Sequence, residues 1–530
     1  MEVYLYKAKG TGGAIYDFSF NPYIDHEILK RTRNIESFEV LGKISIDRAK
    51  SIIDKINKTS MLDKIIKNTD FLVKKEIKKN SLKAEYKKIS SGYVLPSKED
   101  IEFVEGKIIG RVLTLNDIID YFKRYYQYDY LLDILQVLYC ERRVSILPAF
   151  REEGEKLYCN FCRRRVCEGC QFNFKESDLL IYAADNYNFS LRQGLGYKFP
   201  KLKDVKEDIA LDLLDFIKSK KNNGLIFSAP HSFSLDMLYP SFSEILKTGG
   251  KVLYITSFNE AYEALENLKS TFYNKKISII HDKFEDFRNN DIVISYKSNY
   301  VPFYKAFDLV LLNDIYRAFN KEKLLHFAAK KACKDKGKFI VACINPERYK
   351  ELSFEITFLP YSHGNHLIPE PRVEISKVLR EGFYLPDLAL DTLRWSIKDG
   401  SKTIVFIPKR MQISTILNYL IMEGINKNQI ESKSDFLTFL KGTKRIYLTS
   451  DFSISKNFSE NVNVIVLNAH DDCYNEEILI YLSALASLGK NKKVGEVLFV
   501  AENETEGISL AKKCIRSLNK AAWEKGFVKQ

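Results

Sequence analysis

Four thiols in a short span carry the plainest chemistry in this chain. Cys159-Asn-Phe-Cys162 and Cys167-Glu-Gly-Cys170 are two C-x2-C pairs separated by four residues. Each pair can form a knuckle whose two thiolates chelate one ion, and four thiolates together suit a structural zinc. An iron–sulfur cluster and redox-active thiols are the alternatives for the same donors. The spacer is short, so the second knuckle must follow the first almost at once. Arg163, Arg164 and Arg165 lie between the pairs. They offset the negative charge of a four-thiolate centre and could also meet nucleic-acid phosphates.

A second stretch has the layout of a reactive site without its chemistry. Gly224-Leu-Ile-Phe-Ser-Ala-Pro-His-Ser-Phe-Ser-Leu-Asp-Met-Leu-Tyr-Pro240 predicts a buried strand at 225–227, a sharp turn at 228–233 and a helix from 234 towards 246. Strand, turn, helix is the arrangement of a nucleotide-binding loop. A phosphate cradle needs glycines for its backbone N–H nest, a Lys for the terminal phosphates and a Ser or Thr for Mg²⁺. This turn offers His231, Ser232, Phe233, Ser234 and Leu235 instead. Pro230 removes one N–H donor as well.

The elements that must position these residues alternate in type. After about residue 194, strands are predicted at 251–256, 277–280, 291–295, 307–312 and 338–343, with helices at 204–218, 259–272 and 320–335. A second set follows from about 385, with strands at 403–407, 446–448, 462–467 and 495–500 and helices at 385–399, 409–423, 475–488 and 506–525. This is the pattern of doubly wound parallel sheets. The expected fold class is α/β: two such lobes, 195–355 and 356–530, behind an α+β N-terminal region, 1–150, and a four-cysteine module, 151–175. The Pro- and Gly-dense segment 359–371 suits an interlobe connection.

The N-terminal region holds weaker signals. Lys9-Gly-Thr-Gly-Gly13 suits a hairpin loop, since no Lys-Ser/Thr follows it. A helix should start near Thr114, and Tyr121, Phe122 and Tyr125 behind it are expected in a core. Lys74, Lys75, Lys78, Lys79, Lys83, Lys87 and Lys88 recur at three- and four-residue spacing. That is either a solvated helix or linker, or a stripe that contacts phosphates.

Lys+Arg exceeds Asp+Glu by 82 to 69, a net charge of +13. The excess favours nucleic acid over acidic proteins as a partner, with lysine-rich composition alone as the other explanation. The start lacks an apolar signal region, and no run of about 18 apolar residues exists, so membrane insertion is not expected. The expectation is a cytoplasmic chain with reduced thiols. Cys140, Cys333, Cys343, Cys473 and Cys514 stand in apolar contexts and are expected to pack as small core residues.

A four-Cys knuckle, then two lobes, with His363-Gly364, Leu367, Pro369 and Pro371 between them, is an order that resembles the late-competence helicase family. That ComFA-like family lies within the superfamily 2 motors, and the resemblance covers roughly residues 105–530. It implies RecA-like lobes, an N-terminal zinc module, a DNA-dependent ATPase engine and work on imported single-stranded DNA. Replication-restart helicases are also similar, but their metal cluster interrupts the later motor region.

Each motif of the resemblance departs from the family pattern. Asp236-Met-Leu-Tyr-Pro240 is similar to the family's Glu-Met-Leu-Phe-Pro, which follows its Gly-Lys-Thr. That register puts Ser234 where the Lys belongs and Leu235 at the Mg²⁺ hydroxyl. The family's Asp-Glu becomes Asn313-Asp314, so Asn313 replaces the metal-orienting carboxylate and Asp314 stands as the base. The Thr-Ala-Thr-Pro linker motif is Cys343-Ile-Asn-Pro346, and both arginines of the last motif are leucines, Leu485 and Leu488. A missing arginine finger alone costs roughly 10³–10⁵ in rate. The resemblance therefore implies a DNA-binding protein of DNA uptake that has lost ATP and Mg²⁺ binding, with competence or DNA-processing proteins as partners. A working ATPase with a divergent site and a protein-interaction scaffold are the competing functions.

Overall fold

The computed structural model describes residues 1–530 apart from 12, 59–88, 90–91, 154–155, 164, 166–173, 176, 186–195, 203–204, 297–302, 316–324, 350–354, 360–365, 377–383, 434, 453–461, 490–493 and 527–530. Two all-parallel sheets dominate it. The first has seven strands in the order Ile277–Ile279, Ile292–Tyr296, Val252–Thr256, Phe307–Asn313, Cys333–Cys343, Asn223–Ser228, Glu355–Leu359. The second has six, in the order Arg372–Ile375, Val497–Ala501, Val462–Leu467, Lys402–Phe406, Ile446–Thr449, Ile430–Glu431. Parallel strands covered on both faces need near-continuous apolar runs. Val252-Leu-Tyr-Ile-Thr256 and Val462-Asn-Val-Ile-Val-Leu467 are such runs, and every residue in both is buried.

The strand order matters for the site. The strand leading into the 228–236 turn and the strand ending at Asn313 are separated by only one strand, Cys333–Cys343. Their carboxyl ends therefore lie one strand apart on the same edge of the parallel sheet, where ligands of open α/β sheets bind. Three local expectations shift. Residues 333–335 are strand, so the preceding helix, Leu325–Ala332, ends earlier than its apolar pattern suggested. Glu355–Leu359 pairs with Asn223–Ser228 and extends the first sheet. The helix predicted from 234 begins as a single 3₁₀ turn, Leu235–Leu238, and becomes α-helical only at Tyr239–Lys247.

The N-terminal region is antiparallel. Strands Gly13–Ser19, Glu2–Gly10 and Ile35–Ser45 form one sheet, with Gly10 opposite Gly13 across the expected hairpin. A second small sheet joins Arg111–Thr114, Leu179–Ala183 and Ser145–Pro148. Thr114 caps the next helix through a capping box with Asp117. Phe122 behind it is fully buried, whereas Tyr125 is about half exposed, with Arg124 over its ring.

Arg111 fastens this region to the first parallel-sheet lobe. Its guanidinium lies 4.7 Å from the Phe287 ring and donates to the carbonyls of Lys107, at 2.9 Å, and Glu285. The side chain is buried, and desolvation pulls its pKa down to about 10. A second tie is the buried ion pair between Lys251 and Asp185, at 3.1 Å. Among the described residues, no helix is long and apolar enough to cross a membrane.

Candidate functional site

The turn at the carboxyl end of Asn223–Ser228 is closed by its own side chains. His231 sits in the left-handed region with φ 65, a conformation glycine adopts without cost and other residues adopt rarely. Its imidazole is buried, with its ring centroid 4.2 Å from that of Tyr481 on a helix of the second lobe. Ser232 is buried too, and its N–H turns back to the carbonyl of Ala229 at 3.3 Å. Phe233 and Leu235 pack against the main core. Anion-binding loops aim a helix N-terminus at the ligand. Here the 3₁₀ turn intervenes, and Pro240 stands in the first turn of the α-helix that follows.

Ser234 does not leave the turn without a cation nearby. Its hydroxyl accepts a hydrogen bond from Lys206 Nζ at 2.8 Å and donates to Asp236. Lys206 comes from helix Val205–Lys218, which precedes the strand. Sequence reasoning missed it, because a lysine reaching in from another element leaves no local motif.

The second acidic position is equally committed. Asn313 is buried, and its amide donates to Glu260 Oε2 at 2.7 Å and to the Tyr254 hydroxyl at 3.1 Å. Thr256 donates to the same Glu260 oxygen at 2.7 Å. Glu260 is a second residue that the linear pattern did not expose. Asp314, the base of the sequence reading, is buried and accepts a hydrogen bond from the Tyr349 hydroxyl. Its backbone N–H is held by the Ala342 carbonyl at 2.8 Å.

Helix Glu476–Leu485 closes the cleft from the other lobe. Leu485 and Leu488 are buried in the main core cluster. The residues that meet the first lobe are instead Glu476, Glu477 and Tyr481. Glu476 accepts from the Asn345 amide at 3.0 Å, and Arg348 reaches Glu476 at 3.4 Å and Glu477 at 3.1 Å. Two carboxylates at a helix N-terminus suit its dipole. The core cluster is continuous across this junction, joining Leu225, Ile340 and Ile344 of the first lobe to Leu479, Leu482 and Ile515 of the second.

Half of the thiol cluster is described. Cys159 and Cys162 are both buried, and Arg163 after them takes the left-handed conformation, φ 61, with its N–H bonded to the Cys159 carbonyl at 2.8 Å. This is a tight reversal around a C-x2-C pair. Lys331, from the first lobe, lies 4.5 Å from the Phe161 ring centroid between the two cysteines. Burial pulls the Lys331 ammonium down to about 8, and the neighbouring Arg163 pulls the same way, while the two cysteines oppose them. Two buried sulfurs are half of a four-thiolate set, and among the described residues no group of three or more His, Cys, Asp or Glu is placed to hold a metal ion. Cys167, Cys170 and Arg164 lie outside the described residues, as do Lys74, Lys75 and Lys78. Arg163 is exposed and Arg165 is half-buried. Of the remaining thiols, Cys333, Cys343 and Cys514 are buried, and desolvation raises the pKa of each.

No family model matches the chain. The competence protein ComFA of Streptococcus pneumoniae (strain ATCC BAA-255 / R6) is 22% identical over 416 residues, spanning 71% of this chain and 93% of that protein. ComFA of Bacillus subtilis (strain 168) is 21% identical over 387 residues, spanning 69% of this chain and 81% of that protein. A Dbp5 variant of S. cerevisiae bound to RNA and ADP BeF3 aligns with 61% of this chain and 93% of its own, at 11% identity and a TM-score of 0.36. The two sequence matches make this chain a distant homologue of the ComFA competence proteins.

Proposed function

We propose that this distant homologue of ComFA is a DNA-binding protein of DNA uptake whose own nucleotide site no longer hydrolyses ATP. The observation that carries the reading is the packing of the His231 ring against Tyr481, 4.2 Å between centroids, in the turn where phosphate would lie. A nucleotide triphosphate must have its charge matched as it leaves water. The turn lacks a glycine nest, Leu235 cannot hold Mg²⁺, and Asn313 spends its amide on Glu260. The facing helix and the residues after it bury Leu485 and Leu488 where the resemblance expects arginines. DNA contact rests on Arg163, Arg164, Arg165, Lys74, Lys75 and Lys78, acting on phosphates without base preference. Cys159, Cys162, Cys167 and Cys170 hold one structural zinc, which fixes the loop that carries the three arginines.

Calorimetry with Mg·ATP, beside phosphate release with and without single-stranded DNA, tests the first claim. The expected results are no binding below millimolar ATP and no turnover. Salt-dependent DNA binding tests the second: affinity should fall steeply with salt, and a triple Arg163/Arg164/Arg165→Ala variant should weaken it. One observation favours a second reading, a working ATPase with a divergent site. Lys206 brings an ammonium to the residue that replaces the family's lysine. Micromolar ATP affinity that disappears in Lys206→Ala would select that reading.

A further inference from the structure

The N-terminal region holds a cavity of about 600 Å³ whose lining includes none of the thiols and none of the cleft residues. It opens between the first antiparallel sheet, the start of helix Pro22–Arg33 and the start of helix Tyr128–Cys140. Its walls are aromatic: Tyr4, Phe20, Tyr23 and Tyr93 line it, with the Tyr23 and Tyr93 rings stacked at 5.8 Å. Two carboxylates, Asp129 and Asp133, line it as well. The volume and the mixture of rings with a few fixed polar groups are those of a small-ligand pocket.

Among the described residues, the charge balance of this cavity is incomplete. Asp133 is only 7% exposed. It accepts from the Asn21 amide at 2.8 Å and the Tyr93 hydroxyl at 2.6 Å, both neutral donors. Asp129 stands one helical turn earlier, so two like charges share one face of the helix, a spacing at which they repel. Among the described residues, no cation pairs with either one. Lys43 also lines the cavity, but it pairs with Glu2 at 3.8 Å and lies over the Tyr4 ring at 5.4 Å. Buried carboxylates are normally countered by a cation, and aromatic faces attract cations through the ring quadrupole. A bare metal ion would leave most of this volume and its rings unused.

We propose that the cavity binds an organic cation, a guanidinium or primary ammonium group on a short stem. The head group sits between Asp129 and Asp133 and the stem lies along the tyrosines. The cation arrives either as a free small molecule or as an arginine or lysine side chain of a polypeptide.

The test is calorimetry on the whole chain with argininamide and its isostere citrullinamide, both acetylated on the α-amine so that only the former is charged, and an acetylated hexapeptide bearing one arginine. Argininamide should bind at least tenfold more tightly than citrullinamide. Asp133→Asn should weaken argininamide at least tenfold. Asp129→Asn, at an exposed position, should weaken it severalfold and serves if the buried variant fails to fold. A hexapeptide tighter than argininamide assigns the cation to a polypeptide; equal or weaker binding assigns it to a free amine. Equal affinity for argininamide and citrullinamide, no heat with any of the three, or unchanged affinity in Asp129→Asn would overturn the proposal. So would binding of deoxynucleosides in place of argininamide.

Discussion

Replacing His231 separates the two things this residue does. Its backbone is held at φ 65, and its ring is packed on Tyr481. A non-glycine residue in the left-handed region pays about 1–2 kcal/mol relative to its ordinary conformation. Glycine removes that cost but loses about 0.5–1 kcal/mol through its freer unfolded chain. Both His231→Gly and His231→Ala lose the ring contact, about 0.5–1.5 kcal/mol for an aromatic pair. Both variants also empty a buried position, at about 2–5 kcal/mol, which cancels between them and leaves His231→Ala about 1 kcal/mol below His231→Gly. In urea that gap is a midpoint difference of about 0.3–0.5 M, read on the transition of the parallel-sheet lobes. Alanine as stable as glycine would refute the left-handed turn. The same His231→Gly protein tests the closed site. Opening the turn should not create ATP binding, because Pro230, Leu235 and Asn313 remain. Micromolar affinity in that variant would mean that His231 alone blocks an otherwise competent cradle.

Three further outcomes are expected. Elemental analysis of purified protein should find one zinc per chain, and Cys162→Ser should lower that content and destabilise the N-terminal module while both parallel-sheet lobes stay folded. Burial raises the Asp25 carboxyl to about 7 despite hydrogen bonds from Ser19 and Cys140. Because the folded-state pKa is raised, the folded form holds the proton more tightly, so this contribution is full below about pH 4 and lost as pH rises through about 7. Thermal unfolding of the N-terminal region should therefore be easier at pH 8 than at pH 5, and Asp25→Asn should flatten that difference. Arg348→Met should destabilise the junction of the lobes by about 3–5 kcal/mol, because it removes the guanidinium from buried Glu477. Adding Glu477→Gln should restore most of the loss, and a double-mutant cycle in denaturant measures both.

The sheets were legible and the site only partly so, for one physical reason. Buried parallel strands write their position into a continuous apolar run, as in Phe307–Leu312 and Val462–Leu467. Edge strands have weaker runs: Arg372-Val-Glu-Ile375 is exposed at both ends and went unread. The start of the helix after the turn was misplaced because its apolar spacing is already helical from Met237, while Pro240 delays regular α-geometry until Tyr239. In the site, the departures at Ser234, Leu235, Asn313, Leu485 and Leu488 could be listed from motif register alone. What surrounds them could not. Lys206, Glu260, Arg348 and Tyr481 each arrive from a different element, and only the strand order brings them to one cleft.

The last helix, Glu506–Glu524, has a consequence for how the chain is made. Its buried face, Ile508, Ala511, Cys514, Ile515 and Leu518, belongs to the same core cluster as the strands of the first lobe. Asn519 also clasps the backbone of Ile368 from both sides, at 2.9 and 3.2 Å. A ribosome adds about 5–20 residues per second. The strand at Asn223–Ser228 is therefore finished many seconds before the residues that complete its surroundings exist. Through that interval the nascent first lobe presents uncovered apolar surface, and its final packing waits until Glu506–Glu524 has been made.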